Sequence, residues 1–363
     1  MLQKKRPWLV ALRGALGVAA LLLFAQVFRA ADTGTIGRLL FGVGAVGVGL
    51  LLLPQLAALL LETLGWKLTF RAGGTRVRFA PLLRVRIASE ALAQSLPLGV
   101  AFAESIKPHL LGRHCGVSVD RSLAGMTARK VLILVAQSVY VVGLAALGFA
   151  GLEAASRAGL GVQHVGWLTL GSGALLGIGG VTSALLLRKS RIARGAFALL
   201  RRLPSSRLRT SILLRERAFA STDGAVSSLF GSDWRELCVP TLLYLGSWLF
   251  ESFETWLILS MLGAHPSFLT VGSMEVVVSL VRNVVFVVPA GLGVQDLGYA
   301  ACFAAFGVPE AVSTSAAFVV MKRGKELVWI AVGYALLGSD LGALVRGQLS
   351  AEQERLRLRP ARA

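Results

Sequence analysis

The 363-residue chain is 55% hydrophobic and only 16% charged, with a mean hydropathy of +0.69; so little polar surface excludes an ordinary water-soluble domain of this length. Its formal charge of +19 would suggest nucleic acid in a soluble protein. Here the basic residues are grouped between apolar runs, so they report topology and no nucleic-acid partner is expected.

Apolar runs near 9–28, 39–61, 126–150, 165–187, 236–262 and 311–338 each reach the roughly 20 residues that cross a ~30 Å hydrocarbon layer as helix. Alternating strand-like segments of about ten residues are absent, which argues against a barrel. The first run follows Lys4, Lys5 and Arg6 in the manner of a secretory signal, but it is long and contains Arg13, so it is expected to be retained as a span. GAVGVG at 44–49 lies inside an apolar run with no strand before it, and reads as a helix-packing face rather than a dinucleotide loop.

If the amino terminus is cytoplasmic and the six runs alternate, the inside segments hold 27 Lys and Arg and the outside loops hold three, Arg29, Arg38 and Arg157. That is the positive-inside pattern. It predicts a multi-pass protein of a bacterial or archaeal cytoplasmic (inner) membrane with both termini cytoplasmic. Ten of the inside charges fall in the stretch 188–220, which mixes Ile192, Phe197, Leu199, Leu200 and Leu203 with the basic residues. It is expected to lie along the anionic cytoplasmic leaflet as an amphipathic segment or to serve only as a topology signal. Residues 1–340 read as one transmembrane domain, and 341–363 as a short basic cytoplasmic tail whose end, from Glu352, frays.

Residues 86–113 and 269–309 do not fit simple spans: they are moderately apolar, broken by Pro and Gly, and carry acids. With six full spans and both termini inside, each must enter and leave on one side, as a re-entrant hairpin. Broken backbone at membrane depth is tolerated where protein or a wet cavity satisfies it, so such hairpins line sites. The two also match each other. SLPLGVAFAESIK at 95–107 aligns with VVPAGLGVQDLGY at 287–299, placing Pro97, Gly99 and Glu104 against Pro289, Gly291 and Asp296. A basic pair follows each acid after 25 to 27 residues, Arg129 with Lys130 and Lys322 with Arg323. The fold class expected is therefore all-α integral membrane, about six transmembrane helices plus two re-entrant helical hairpins in an inverted repeat, with a substrate site near the midplane.

Ionised groups at the bilayer centre cost about 2.5 to 3.5 kcal/mol each and need partners or water, which nominates Arg129, Lys130, Glu251, Glu254, Arg282, Lys322, Arg323, Lys325 and Glu326. Glu251 and Glu254 share one helix face, and Lys322, Lys325 and Glu326 another. An acid helix opposite a basic helix predicts internal ion pairs, with spare positive charge for a lipid phosphate or, equally, pairs that only fix helix register. An acid such as Glu104 or Asp296 is a candidate for proton coupling by its location.

The catalytic inventory is thin. His109, His114, His164 and His265, with Cys115, Cys238 and Cys302, form no metal-ligand spacing or disulfide framework, and no Ser or Cys nucleophile has a His and acid nearby in sequence. No catalytic residue, metal or cofactor is expected.

FVVPAGLGVQDLGY at 286–299, FGVPE at 306–310 and MKRGKELVWIAVGYALL at 321–337, together with RIASEALAQSLPLGVAFAE at 86–104, resemble the flippase-like membrane family related to the transmembrane region of lysylphosphatidylglycerol synthase. The likeness extends to the subgroup associated with hopanoid biosynthesis and runs from about residue 10 to 340. It implies lipid translocation or scrambling, with Pro289, Gly291, Gly293 and Asp296 on the second motif and Pro97 and Glu104 on the first. Asp296 stands where the family usually has Glu. The soluble aminoacyl-transferase domain that follows this region in the synthase is not found before Ala363, so lysylation of lipid by this stretch alone is not expected. The partner expected is a membrane lipid, a phospholipid, isoprenoid-linked lipid or hopanoid, with lipid-synthesis enzymes as further candidates. A membrane-embedded lipid-carrier transferase and a noncatalytic partner of such enzymes are the alternatives.

Overall fold

The computed structural model describes residues 33–96, 99–159, 162–188, 224, 226–231, 234–284 and 293–357, with side chains as far as 338. These residues form eleven principal helices and no strand: α1 (Thr33–Leu50), α2 (Leu52–Ala72), α3 (Phe79–Ser95), α4 (Gly99–Cys115), α5 (Val119–Leu147), α6 (Phe149–Ala158), α7 (Val165–Arg188), α8 (Trp234–Met261), α9 (Phe268–Val284), α10 (Val294–Ala305) and α11 (Ala311–Arg357). Glycine beyond a helix end takes the positive φ that closes it, as at Gly74 after α2 and Gly116 after α4. α3 stops at Ser95, just before the Leu96-Pro97 step, where the residue preceding proline resists the helical conformation.

Among the described residues, three helical segments are long and apolar enough to cross a membrane: Thr33–Ala72, Val119–Leu147 and Val165–Arg188. The runs at 236–262 and 311–338 fold as α8 and α11. The run at 39–61 straddles two helices, α1 and α2. The first run, 9–28, and the basic stretch after Arg188 lie outside the described residues. α11 continues to Arg357, through much of the range read as a tail.

The distribution of polarity is that of a membrane protein. Phe41, Trp167, Leu175, Ile178 and Leu242 are exposed on helix surfaces, whereas Arg86, Arg129, Glu254, Glu275, Asp296, Lys322 and Lys325 are buried, the reverse of what water selects. α5 packs on α7 through small residues: a Cβ on Gly173 would sit 2.8 Å from Val142 Cγ2, and Ser138 Oγ donates to the Gly173 carbonyl at 2.7 Å. Without a hydrophobic drive between helices in lipid, such close approach supplies the packing energy. α2 packs on α8, where Gly65 admits the Tyr244 ring and Thr69 Oγ1 lies 3.3 Å from Tyr244 OH.

The GAVGVG stretch is corrected by the fold. Gly44 has φ 63 and kinks α1, Val46 is 77% exposed, and a Cβ on Gly44 or Gly49 would meet nothing. Only Gly47 is buried, near Met261, because the kink turns the rest of the segment outward.

The range 86–113 folds as parts of α3 and α4, and 269–309 as parts of α9 and α10. In each range the two helices pack against one another.

Candidate functional site

A cavity of about 480 Å³ opens among these helices, within the range of small-molecule sites. α2 contributes Gln55 and Glu62, α3 Arg86, Glu90 and Gln94, α8 Glu251 and Glu254, α9 Arg282, and α11 Lys322, Lys325 and Glu326. Val100 of α4 and Gln295 of α10 also reach it, so both hairpins form its wall.

One side is organised on Glu62. Arg86 donates to Glu62 Oε2 through Nε at 3.0 Å and Nη2 at 2.6 Å, and Arg129 Nη2 donates to the same oxygen at 2.5 Å. Arg86 also pairs with Glu90, whose other oxygen accepts from Gln94 Nε2 at 3.0 Å. The Arg129 guanidinium lies over the Trp66 ring, 5.3 Å from its centroid, a cation–π contact that holds it behind Glu62.

The other side joins α8 to α9 and α11. Arg282 Nη2 donates to Glu251 Oε1 at 2.7 Å. Lys325 Nζ donates to both oxygens of Glu254 at 2.6 Å and to Gln55 Oε1 at 3.2 Å. Lys322 Nζ is 3.9 Å from Glu254 and donates to Tyr299 OH at 3.0 Å. Tyr299 in turn donates to Glu275 Oε1 at 2.7 Å, and Thr255 Oγ1 donates to the same oxygen at 2.5 Å. The rings of Tyr299, Phe303 and Phe318 pack together and support the Lys322 ammonium.

Of the residues nominated from sequence, Glu251, Glu254, Arg282, Lys322, Lys325 and Glu326 line the cavity. Arg129, Asp296 and Arg323 stand behind it through ion pairs. Arg323 bridges Asp296 at 2.8 Å and Glu326 at 2.6 Å. Despite its short side chain, Asp296 also accepts the Gly293 N–H at 3.0 Å, capping α10. Glu104 does not line the cavity; it accepts from Lys107 at 2.7 Å and lies 3.4 Å from Lys130.

The two glycines act on backbone geometry. Gly99 opens α4 so close to α3 that a Cβ would come 2.5 Å from the Ala93 carbonyl oxygen. Gly293 precedes α10 at φ 79, a conformation that L side chains resist. Pro97, Pro289 and Gly291 lie outside the described residues.

Sequence reasoning missed Glu62, Arg86, Glu90 and Glu275. The repeat itself would have nominated Glu62: Glu62 to Glu254 and Glu104 to Asp296 are each 192 positions, and Arg129 to Lys322 and Lys130 to Arg323 each 193. The pairs correspond as well. Arg129 with Glu62 answers Lys322 with Glu254, and Lys130 with Glu104 answers Arg323 with Asp296.

Comparison with known proteins adds one match: the family model described as lysylphosphatidylglycerol synthase TM region matches residues 10–321. No curated protein and no solved structure matches.

Proposed function

The chain belongs to the family of the lysylphosphatidylglycerol synthase transmembrane region, and from that premise we propose that this α-helical membrane protein moves a lipid between leaflets, its headgroup passing through the charged cavity between the two hairpins. The observation that carries this reading is a cavity of about 480 Å³ walled by acids and bases inside a molecule whose outer helix faces are apolar. A headgroup finds polar partners there while its acyl chains stay against apolar helix. Buried Arg282 Nε has no protein partner among the described residues, which leaves a donor for a phosphate oxygen. The substrate class proposed is a phospholipid, an isoprenoid-linked lipid or a hopanoid.

Inverted repeats that take unequal conformations produce alternating access, and the corresponding pairs are unequal. Arg323 and Asp296 are 2.8 Å apart with side chains 20% and 4% exposed, whereas Lys130 and Glu104 are 3.4 Å apart and 56% and 22% exposed. This asymmetry supports hairpins that re-enter from opposite faces, one clasp closed and the other loosened. Both termini are then cytoplasmic, in the inner membrane.

The test is exchange of fluorescent phospholipids between leaflets of proteoliposomes. Native protein should exchange them, and folded Asp296→Asn and Arg323→Ala variants should lose at least tenfold in rate, about 1.4 kcal/mol of barrier. No exchange by the native chain across anionic, neutral and isoprenoid lipids would overturn the reading.

A further inference from the structure

Every acid lining the cavity has a cation partner: Glu62 and Glu90 share Arg86, Glu251 has Arg282, Glu254 has Lys325, and Glu326 has Arg323. Glu275 differs. It is 1% exposed, makes no ion pair among the described residues, and is held through one carboxylate oxygen by two hydroxyls, Thr255 and Tyr299. Burying an ionised carboxylate on hydroxyl donors alone is costly, and the same contacts accommodate the protonated acid. The hydroxyl of Tyr299 also accepts from Lys322, whose side chain lines the cavity.

We propose, building on lipid translocation, that Glu275 is a proton-binding site connected to the cavity through Tyr299 and Lys322, so that entry of a lipid phosphate is accompanied by protonation of this acid. Lys322 is the cation shared between Glu254 and Glu275, close to the first and one hydroxyl away from the second. A phosphate that engages Lys322 draws that charge toward itself and leaves Glu275 on hydroxyl partners alone, where a proton stabilises it. The hydrogen bonds already run toward the acid. The Tyr299 O–H breaks as a Glu275 O–H forms, a Lys322 N–H breaks as the Tyr299 O–H is restored, and Lys322 regains a proton from a hydronium ion in the cavity, which is left as water. The net change is one proton moved from the cavity to Glu275.

The surrounding groups make this the acid to titrate. Arg282 on the same helix is engaged by Glu251 of α8. α10 presents Tyr299 and Cys302, α11 presents Lys322, and α5 presents Tyr140, whose hydroxyl is bound to Ser252. Glu104 and Asp296, which location alone would favour as proton carriers, each hold a cation instead.

Infrared difference spectra of the purified full chain, titrated with pH, test the site directly. A protonated-carboxyl band is expected that disappears in Glu275→Gln and survives in Glu326→Gln; the glutamine keeps an acceptor for Thr255 and Tyr299, so the variant retains the local contacts. Absence of a band sensitive to Glu275→Gln overturns the proton site, whether or not the protein moves lipid. In phosphatidylglycerol proteoliposomes, an imposed pH gradient should change the native exchange rate severalfold and leave the Glu275→Gln rate unchanged. Native exchange indifferent to the gradient overturns the link to transport, while complete lack of native exchange overturns translocation and leaves the spectra to decide the proton site.

Discussion

Glu254 and Lys325 illustrate how single residues set the energetics of the interior. Both are buried, and the ammonium donates to both carboxylate oxygens. Removing one member strands the other, which costs about 3 to 5 kcal/mol, whereas an apolar replacement of both is close to neutral. Glu254→Ala should therefore lower the detergent unfolding temperature markedly, and Glu254→Ala with Lys325→Met should recover most of it. Equal losses in the single and double variants would show that the pair contributes little beyond packing. Glu62 is less replaceable, because Arg86 and Arg129 both terminate on one of its oxygens. Glu62→Gln should weaken both arginine contacts at once and lower stability more than Glu326→Gln, where the acid meets Arg323 near the surface of the cavity. Thermal unfolding of the two variants side by side measures the difference.

At the scale of elements, helix approach depends on a few glycines. α7 turns Gly173 toward Val142 and Gly180 toward Val135 of α5, while Trp167, Leu175 and Ile178 face outward. Gly173→Leu would force α5 and α7 apart and should cost about 1 to 3 kcal/mol, the range for overpacking; Leu175→Ala, on the outer face, should change unfolding by less than about 0.5 kcal/mol. The hairpin turns depend on glycine for another reason. Gly99→Ala drives a methyl into the carbonyls that end α3, so it should separate α3 from α4 and move Arg86 and Glu90, which line the cavity, relative to Val100. Disulfide trapping between cysteines placed at Ser95 and Val100 in a cysteine-free background should slow in that variant.

For the whole molecule, the proposed inverted repeat makes a geometric prediction. The ends of corresponding helices should lie on opposite faces of the membrane. A single cysteine at exposed Arg113, at the end of the first hairpin, and one at exposed Glu310, just after the second, should react with an impermeant thiol reagent from opposite sides of sealed, oriented vesicles, Arg113 from the cytoplasmic side. Labelling of both from one side would leave the paired offsets of Glu62 with Glu254 and Glu104 with Asp296 as a parallel duplication and remove the alternating-access argument.

The helical class, the helix breaks within 86–113 and 269–309 and the acid helix set against a basic helix were legible in the sequence, because hydropathy, proline and glycine spacing, and charges inside apolar runs all act locally along the chain. Lys322, Lys325 and Glu254 could be nominated for that reason. Their pairing could not: that Lys325 takes both oxygens of Glu254 while Lys322 stands 3.9 Å off, or that Arg323 reaches Asp296, depends on how α8, α10 and α11 rotate against one another. Glu275 was hidden for the same reason. Its neighbours in sequence, Met274 and Val276, mark only a buried helix, and Thr255, Tyr299 and Lys322 come from three other helices. Sequence alone determined which ionised residues a hydrocarbon layer would not tolerate unpartnered and which backbone positions break; tertiary structure decided which buried charges found partners, because a partner is a distance between helices and not a spacing along one.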